Sequence, residues 1–196
     1  MKQIAFFDLD HTITSKDTFI EFLKFTHGKW RFFLNFALLS PMLILYKAKI
    51  IPNWKAKLTV LSFFYRGWSK DRLQKLGDRF AMERLPAIVY ESALARINWH
   101  LEQGHKVVIV TASVEIWFQA WCLALGLEFL STELAFSDGL FTGAFERPNC
   151  YGQEKVKRIR EKYDLSLFEK VYAYGDSPAD QFMMSLAHES FFCSFS

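Results

Sequence analysis

Two carboxylates and a hydroxyl stand two residues apart at Asp8, Asp10 and Thr12, just beyond the apolar run Ile4-Ala5-Phe6-Phe7. The run is too short for a helix and reads as a buried strand, which puts the acids at its carboxyl end, where open parallel sheets bind ligands. Alone, the pattern suits an ordinary acidic turn as well as a catalytic pair. Two later strand endings add to it: His105 to Val110 leads into Thr111-Ala112-Ser113, and Lys170 to Tyr174 leads into Gly175-Asp176-Ser177-Pro178-Ala179-Asp180. Carboxylates gathered this way repel one another and are costly to bury, and a hard divalent cation resolves the conflict. Magnesium suits the inventory, because it takes oxygen ligands and is held by few carboxylates plus a substrate phosphate; zinc does not. With the metal on some of the acids, one Asp can attack phosphorus to form an aspartyl-phosphate. A second, two residues on, can protonate the leaving alkoxide and then activate water. Hydroxyls, backbone N–H groups and one lysine would hold the phosphoryl oxygens. Asp8, Thr111 and Lys155 are therefore expected to meet.

The elements that must bring them together follow from the hydrophobic pattern. Helical periodicity covers Ala87 to Gln103, closed by Gly104, then Glu115 to Leu125 and Gly152 to Lys162, with Lys155 in the first turns and most of the basic residues on a solvated face. Phe129 to Glu133 reads as a short strand, Leu134 to Phe145 as a hairpin turning at Asp138-Gly139, Gln181 to Leu186 as helix and Ser190 to Phe195 as a last strand. Strands alternating with helices predict an α/β, Rossmann-like, mainly parallel sheet with helices on both faces. At 196 residues and 51% hydrophobic content, the chain suits one domain plus an insertion. The expected boundaries are 1–13 and 87–196 for the core and 14–86 for an all-helical insertion after the first strand.

Charge separates the same two parts. Residues 14–86 hold fourteen Lys and Arg against five Asp and Glu, while the remainder holds ten against sixteen. A basic insertion with interleaved Phe and Trp can present a solvated face or meet an anionic substrate or an anionic membrane surface. Nucleic acid is a poor fit, since the basic excess lies in an apolar segment without a recognised binding motif. Within the insertion, Asp17 or Thr18 can cap a helix carrying Phe19, Phe22, Leu23 and Phe25, and further helices cover Lys55 to Phe64 and Ser69 to Leu85, with Ser69 as N-cap. Phe32 to Tyr46 is an uncharged run shorter than the roughly 20 residues of a spanning helix and is broken by Pro41. It reads as a helical hairpin, buried in a small core of the insertion or lying on a membrane with Lys47, Lys49, Lys55 and Lys57 at the headgroups. Cys122, Cys150 and Cys193 lack metal-site spacing and read as reduced thiols, and no secretory leader is recognised, so a cytoplasmic location is expected, with peripheral attachment to the inner face of a membrane as an option.

Asp8-Leu9-Asp10-His11-Thr12, Val110-Thr111-Ala112-Ser113, Lys155 and Gly175 to Asp180 resemble, in order and spacing, the four motifs of the haloacid dehalogenase superfamily. The likeness spans nearly the whole chain. The helical insertion, the Cys150-Tyr-Gly-Gln-Glu-Lys155 stretch and the hairpin through Asp138-Gly139 are similar to its phosphoserine phosphatase-like branch, where the insertion is a cap that selects substrate. The resemblance implies that Asp8 is the nucleophile and Asp10 the general acid/base, with Asp8, the Asp10 carbonyl and Asp176 ligating Mg2+, and Asp180 supporting them. It implies phosphate binding by Thr111, the Ala112 amide and Lys155, while Thr12, Ser113 and Ser177 suit capping or turn roles. His11 stands where the family often has glycine, and Asp17 where phosphoserine phosphatases carry a longer glutamate; both are candidate substrate contacts. The basic, aromatic cap is similar to that of bacterial phosphatidylglycerophosphatase-type members, which implies a lipid headgroup phosphate as substrate. A soluble ester of the phosphoserine or histidinol phosphate kind is the alternative; phosphotransfer to an alcohol and a non-catalytic binding module are more distant ones. No oligomeric state is implied.

Overall fold

The computed structural model describes residues 2–192 and residue 195. In chain order the elements are β1 (Gln3–Phe7), α1 (Thr18–His27), α2 (Lys29–Leu38), α3 (Ser40–Lys47), α4 (Asn53–Tyr65), α5 (Lys70–Glu83), α6 (Glu91–Glu102), β2 (Lys106–Val114), α7 (Gln119–Ala124), β3 (Glu128–Thr132), β4 (Leu134–Ser137), β5 (Leu140–Phe145), α8 (Gln153–Lys162), β6 (Lys170–Gly175), α9 (Gln181–Met184) and β7 (Glu189–Phe192). Five strands form one parallel sheet in the order β3-β2-β1-β6-β7, and β4-β5 is a separate antiparallel hairpin. Phe7 lies level with Ile109 of β2 and Tyr174 of β6, so the three motif-bearing strands reach one edge together. Alternate residues divide between the two faces: Ala5, Phe7, Val107, Ile109, Tyr172 and Tyr174 pack into one buried cluster, Ile4, Phe6, Val108, Val110, Val171 and Ala173 into the other. Helices cover both faces, α6 and α7 on the first and α8 and α9 on the second.

Several local expectations match. Asp17 Oδ1 accepts from Ile20 N at 3.0 Å and Ser69 Oγ from Arg72 N at 3.3 Å, capping α1 and α5. The hairpin turns at Asp138 and Gly139, both with positive φ, as a two-residue loop matched to strand twist requires. The helix expected over 115–125 is instead a 3-10 turn, Glu115–Trp117, followed by α7. Trp117 and Phe118 are consecutive buried aromatics, and the Trp117 indole donates to Thr18 Oγ1 at 3.0 Å, so the chain bends to bury both rings. The final strand is Glu189–Phe192; the rest of its expected span includes Cys193 and Ser194, which lie outside the described residues. Cys122 and Cys150 are buried free thiols.

The insertion departs most. Its run 32–46 splits into α2 and α3 at Leu39, and Pro41 sits in the first turn of α3, where a missing N–H leaves no bond unmade. Only Phe32 and Leu39 of this run are buried, and they join the large cluster that also contains Phe7 and Trp117 rather than a separate small core. Among the described residues, no helix is long and apolar enough to cross a membrane.

Beneath the sheet, His100 is fully buried, with Nδ1 2.8 Å from His105 Nδ1 and Nε2 3.0 Å from the Tyr174 hydroxyl. Burial, followed by the charge of His105, pushes its pKa down to about 4. The unfolded chain protonates it near 6.5, so the unfolded state binds more protons between about 4 and 6.5 and stability falls as pH drops through that window. The melting temperature should decline from pH 6.5 to pH 4, and the decline should be shallower in His100→Gln, measured by thermal unfolding.

Candidate active site

Asp8 continues the β1–β6 pairing by one bond, its N–H donating to Tyr174 O at 3.0 Å, which fixes where its carboxylate emerges. Lys155 reaches that carboxylate from the first turn of α8: its Nζ lies 2.5 Å from Asp8 Oδ1 and 2.6 Å from Asp180 Oδ1, and the side chain is 2% exposed. Asp180 is held in turn by the Ser177 amide at 3.0 Å and hydroxyl at 2.6 Å. A Cβ on Gly175 would stand 2.4 Å from Asp180 Cβ, so only glycine lets the loop fold back this closely. On the other side of Asp8, Thr12 Oγ1 lies 2.9 Å from Asp176 Oδ1 and 3.4 Å from Asp8 Oδ2.

Asp10 points elsewhere. Its carboxylate accepts from Thr18 N at 2.7 Å and from Ser113 Oγ at 2.5 Å, and Thr18 Oγ1 is 3.0 Å from Ser113 Oγ. The two acids of one motif thus have separate surroundings, Asp8 against an ammonium and Asp10 against hydroxyl and amide donors. Separate surroundings are what a nucleophile and a proton shuttle require.

Burial is the largest influence on Asp8 and lifts its pKa to about 7; Lys155 opposes this, while Asp180 and Asp10 add to it. Burial also pushes Asp180 up, but the Lys155 charge and the Lys155 and Ser177 hydrogen bonds outweigh it and hold Asp180 below the ordinary carboxylate range. Lys155 stays protonated despite its burial because two carboxylates flank it. Oxygen atoms of Asp8, Asp176 and Asp180 all lie within 4.8 Å of one another. Three hard oxygen donors, with Asp10 nearby and one ammonium to balance them, leave an excess of negative charge that a divalent cation fits.

A family model of the haloacid dehalogenase-like hydrolases matches residues 5–185. This chain belongs to that family. Protein CicA of Caulobacter vibrioides is 34% identical over 188 residues, covering 93% of this chain and 82% of that protein. A Mycobacterium tuberculosis protein called a "probable phosphatase" is 30% identical over 199 residues, covering 95% of this chain and 67% of its own length. Among solved structures, a protein of unknown function from Bordetella pertussis superposes with a TM-score of 0.83 at 21% identity, covering 97% of this chain and 89% of that one. A substrate-bound phosphoserine phosphatase superposes with a TM-score of 0.69 at 16% identity, covering 99% and 88%, a likeness of fold.

The remaining candidates of this hydrolase sort by position. Thr111 is buried, its hydroxyl accepting from Ser113 N at 3.0 Å. His11 is exposed and has φ +63, a left-handed conformation that glycine adopts without penalty. Asp17 caps α1 and, with Asp10, lines a cavity of about 630 Å³ that runs outward between α1, α3 and α4. The apolar walls of this cavity include Phe19, Ile20, Phe36, Leu43 and Ile44.

Two cations that turn inward, Arg158 buried and Lys57 half-buried, escaped the sequence reading. Arg158, in a helix whose basic residues mostly read as a solvated face, is buried and donates to Pro148 O at 2.6 Å and to Ser131 O, tying α8 to β3 and to the loop after β5 and so fixing the helix that carries Lys155. Lys57, which one of the two readings of the insertion placed at membrane headgroups, instead turns inward from α4. Its Nζ donates to Ala112 O at 2.7 Å, stands 5.5 Å from the Phe19 ring, and lines the same cavity as Asp10 and Asp17. Burial lowers its pKa, against the pull of Asp10, Asp17 and Asp8. No helical periodicity distinguishes Lys57 from Lys55 as an inward residue; the docking of α4 over the sheet edge does. Lys57→Met keeps the stem and removes the charge and the bond to Ala112, so kcat/KM for a small phosphate ester should fall roughly 10- to 100-fold, the worth of a hydrogen bond from a charged group, with the circular dichroism spectrum unchanged.

Proposed function

We propose that this chain is a magnesium-dependent phosphomonoester hydrolase that works through an aspartyl-phosphate on Asp8. The observation that carries the reading is the division of labour at one sheet edge, with Asp8 against Lys155 and Asp10 against Ser113 and the Thr18 amide. Asp8 attacks phosphorus through a carboxylate oxygen. Asp10 protonates the departing alkoxide, then takes the proton of the water that hydrolyses the acyl phosphate. Lys155, the Thr111 hydroxyl and the Ala112 amide hold the transferring phosphoryl oxygens. Asp8, the Asp10 carbonyl and Asp176 would hold the metal, with Asp180 kept beside them by Lys155 and Ser177. When bound, magnesium neutralises charge building on the phosphoryl oxygens.

The apolar cavity leading outward from Asp10 favours an ester whose alcohol carries an apolar group, of which a phospholipid headgroup phosphate is the fullest case. A phosphate-release panel containing phosphatidylglycerophosphate, short-chain lipid phosphates, phosphoserine and histidinol phosphate, each with and without magnesium, tests the reading. Release should require magnesium and favour the esters with acyl chains. Release without magnesium would overturn the mechanism, and a preference for phosphoserine would overturn the substrate class.

A further inference from the structure

We propose that the outer ridge of α2 and α3 docks this chain onto an anionic lipid bilayer, so that the cavity reaching Asp10 opens at the membrane surface. Trp30, Leu34 and Leu38 recur every four residues on one stripe of α2 and are 82%, 64% and 71% exposed. Phe33 of α2, Ile44 of α3, Ile50 of the turn that follows and Trp54 at the start of α4 are exposed as well. A soluble monomer rarely leaves so many large apolar side chains together in water.

Charge selects the occupant. Residues 22–70 contain nine Lys and Arg and no Asp or Glu. Lys29 and Arg31 at one end of the ridge, and Lys47, Lys49 and Lys55 at the other, are exposed. Apolar side chains rimmed by cations on short helices form the pattern that lies in the plane of a bilayer, its apolar face in the acyl boundary and its cations at anionic headgroups. A second copy of this chain is disfavoured as the occupant, because a symmetric contact would set two like-charged faces against each other. Ile44 links the two features, since it is exposed on the ridge and also lines the cavity that contains Asp10. The docking stands apart from the hydrolase reading; delivery of a lipid phosphate to Asp8 rests on it.

The test is flotation with vesicles of phosphatidylglycerol and phosphatidylcholine, compared with phosphatidylcholine alone, using the full chain and the double variant Trp30→Glu/Leu34→Glu. Neither residue lines the cavity, so hydrolysis of an aryl phosphate in free solution serves as a separate readout. The wild type should float with the anionic vesicles, more weakly at high salt and on the neutral ones, and the double variant should bind roughly tenfold or more weakly while keeping its aryl phosphate activity. Wild type that stays at the bottom with anionic vesicles, or a variant that floats as well as wild type, would overturn the docking. So would a wild-type dimer that the variant dissolves without any vesicle binding, since the ridge would then be an interface between copies. Flotation that persists in a protein inert on every phosphate ester would leave the docking standing and sink the hydrolase reading instead.

Discussion

Asp8→Asn should abolish turnover while leaving the fold in place. On the proposed mechanism the carboxylate oxygen of Asp8 makes the new bond to phosphorus, and an amide of the same volume cannot. Loss of a covalent nucleophile is expected to lower kcat by something on the order of 10⁵-fold. Several contacts protect the structure in this variant. The amide oxygen at position 8 can still accept from Lys155, Lys155 keeps Asp180 at 2.6 Å, and the Asp8 N–H bond to Tyr174 does not involve the side chain. Removing one of several crowded carboxylates also relieves repulsion, so the melting temperature should hold or rise. Asp8 is a proposed metal ligand as well, and raising magnesium separates the two roles: activity that returns at high magnesium would mean that the variant lost metal rather than a nucleophile. Single-turnover phosphate release at saturating magnesium makes the measurement.

Lys155→Met should damage both stability and chemistry. The Nζ is buried between Asp8 and Asp180, and no other Lys or Arg pairs with either carboxylate among the described residues. Breaking such a pair while its carboxylates stay buried is expected to cost about 3–5 kcal/mol. For a chain of this size that corresponds to a fall in melting temperature on the order of 10 °C. A divalent cation can supply part of the missing positive charge, so magnesium should raise the melting temperature more in the variant than in wild type. Lysine is also proposed to hold a phosphoryl oxygen whose charge grows in the transition state, and its removal should lower kcat by roughly 10²- to 10³-fold even where the protein is folded. Equal melting temperatures for variant and wild type without magnesium would contradict the buried ion triad.

Local rules carried much of the fold because they act over a few residues. Asp17 and Ser69 cap their helices, and Asp138-Gly139 turns the hairpin, since each needs only its own side chain or backbone conformation and the amides beside it. The alternation along β1, β2 and β6 was equally readable, for a strand buried on both faces is a short apolar run whatever packs against it. The same rules erred where a distant partner decides. Nothing near Trp117 indicates that Thr18 Oγ1, 99 residues away, will accept a hydrogen bond from its indole N–H, and that contact is part of what ends the helix expected from Glu115 onward. Arg158 lies in a highly charged stretch and Lys57 two residues from the exposed Lys55, and a solvated face is the ordinary reading of basic residues so placed. Each is drawn inward by carbonyl groups, of Ser131 and Pro148 for one and Ala112 for the other, that only the folded chain brings within reach.

For the site, the sequence by itself determined which chemistry is available. Acids and hydroxyls at the carboxyl ends of strands of one parallel sheet must share an edge, because parallel strands point the same way. The tertiary structure decided which of those groups meet. That Lys155 meets both Asp8 and Asp180, and that Asp10 faces Ser113, depends on side-chain directions set by packing between residues 25 to 147 positions apart. It decided the surroundings too. The run 32–46 is equally apolar whether buried or exposed, and only the position of α2 and α3 against the rest of the molecule leaves Trp30, Leu34 and Leu38 in solvent beside a cavity that ends at Asp10.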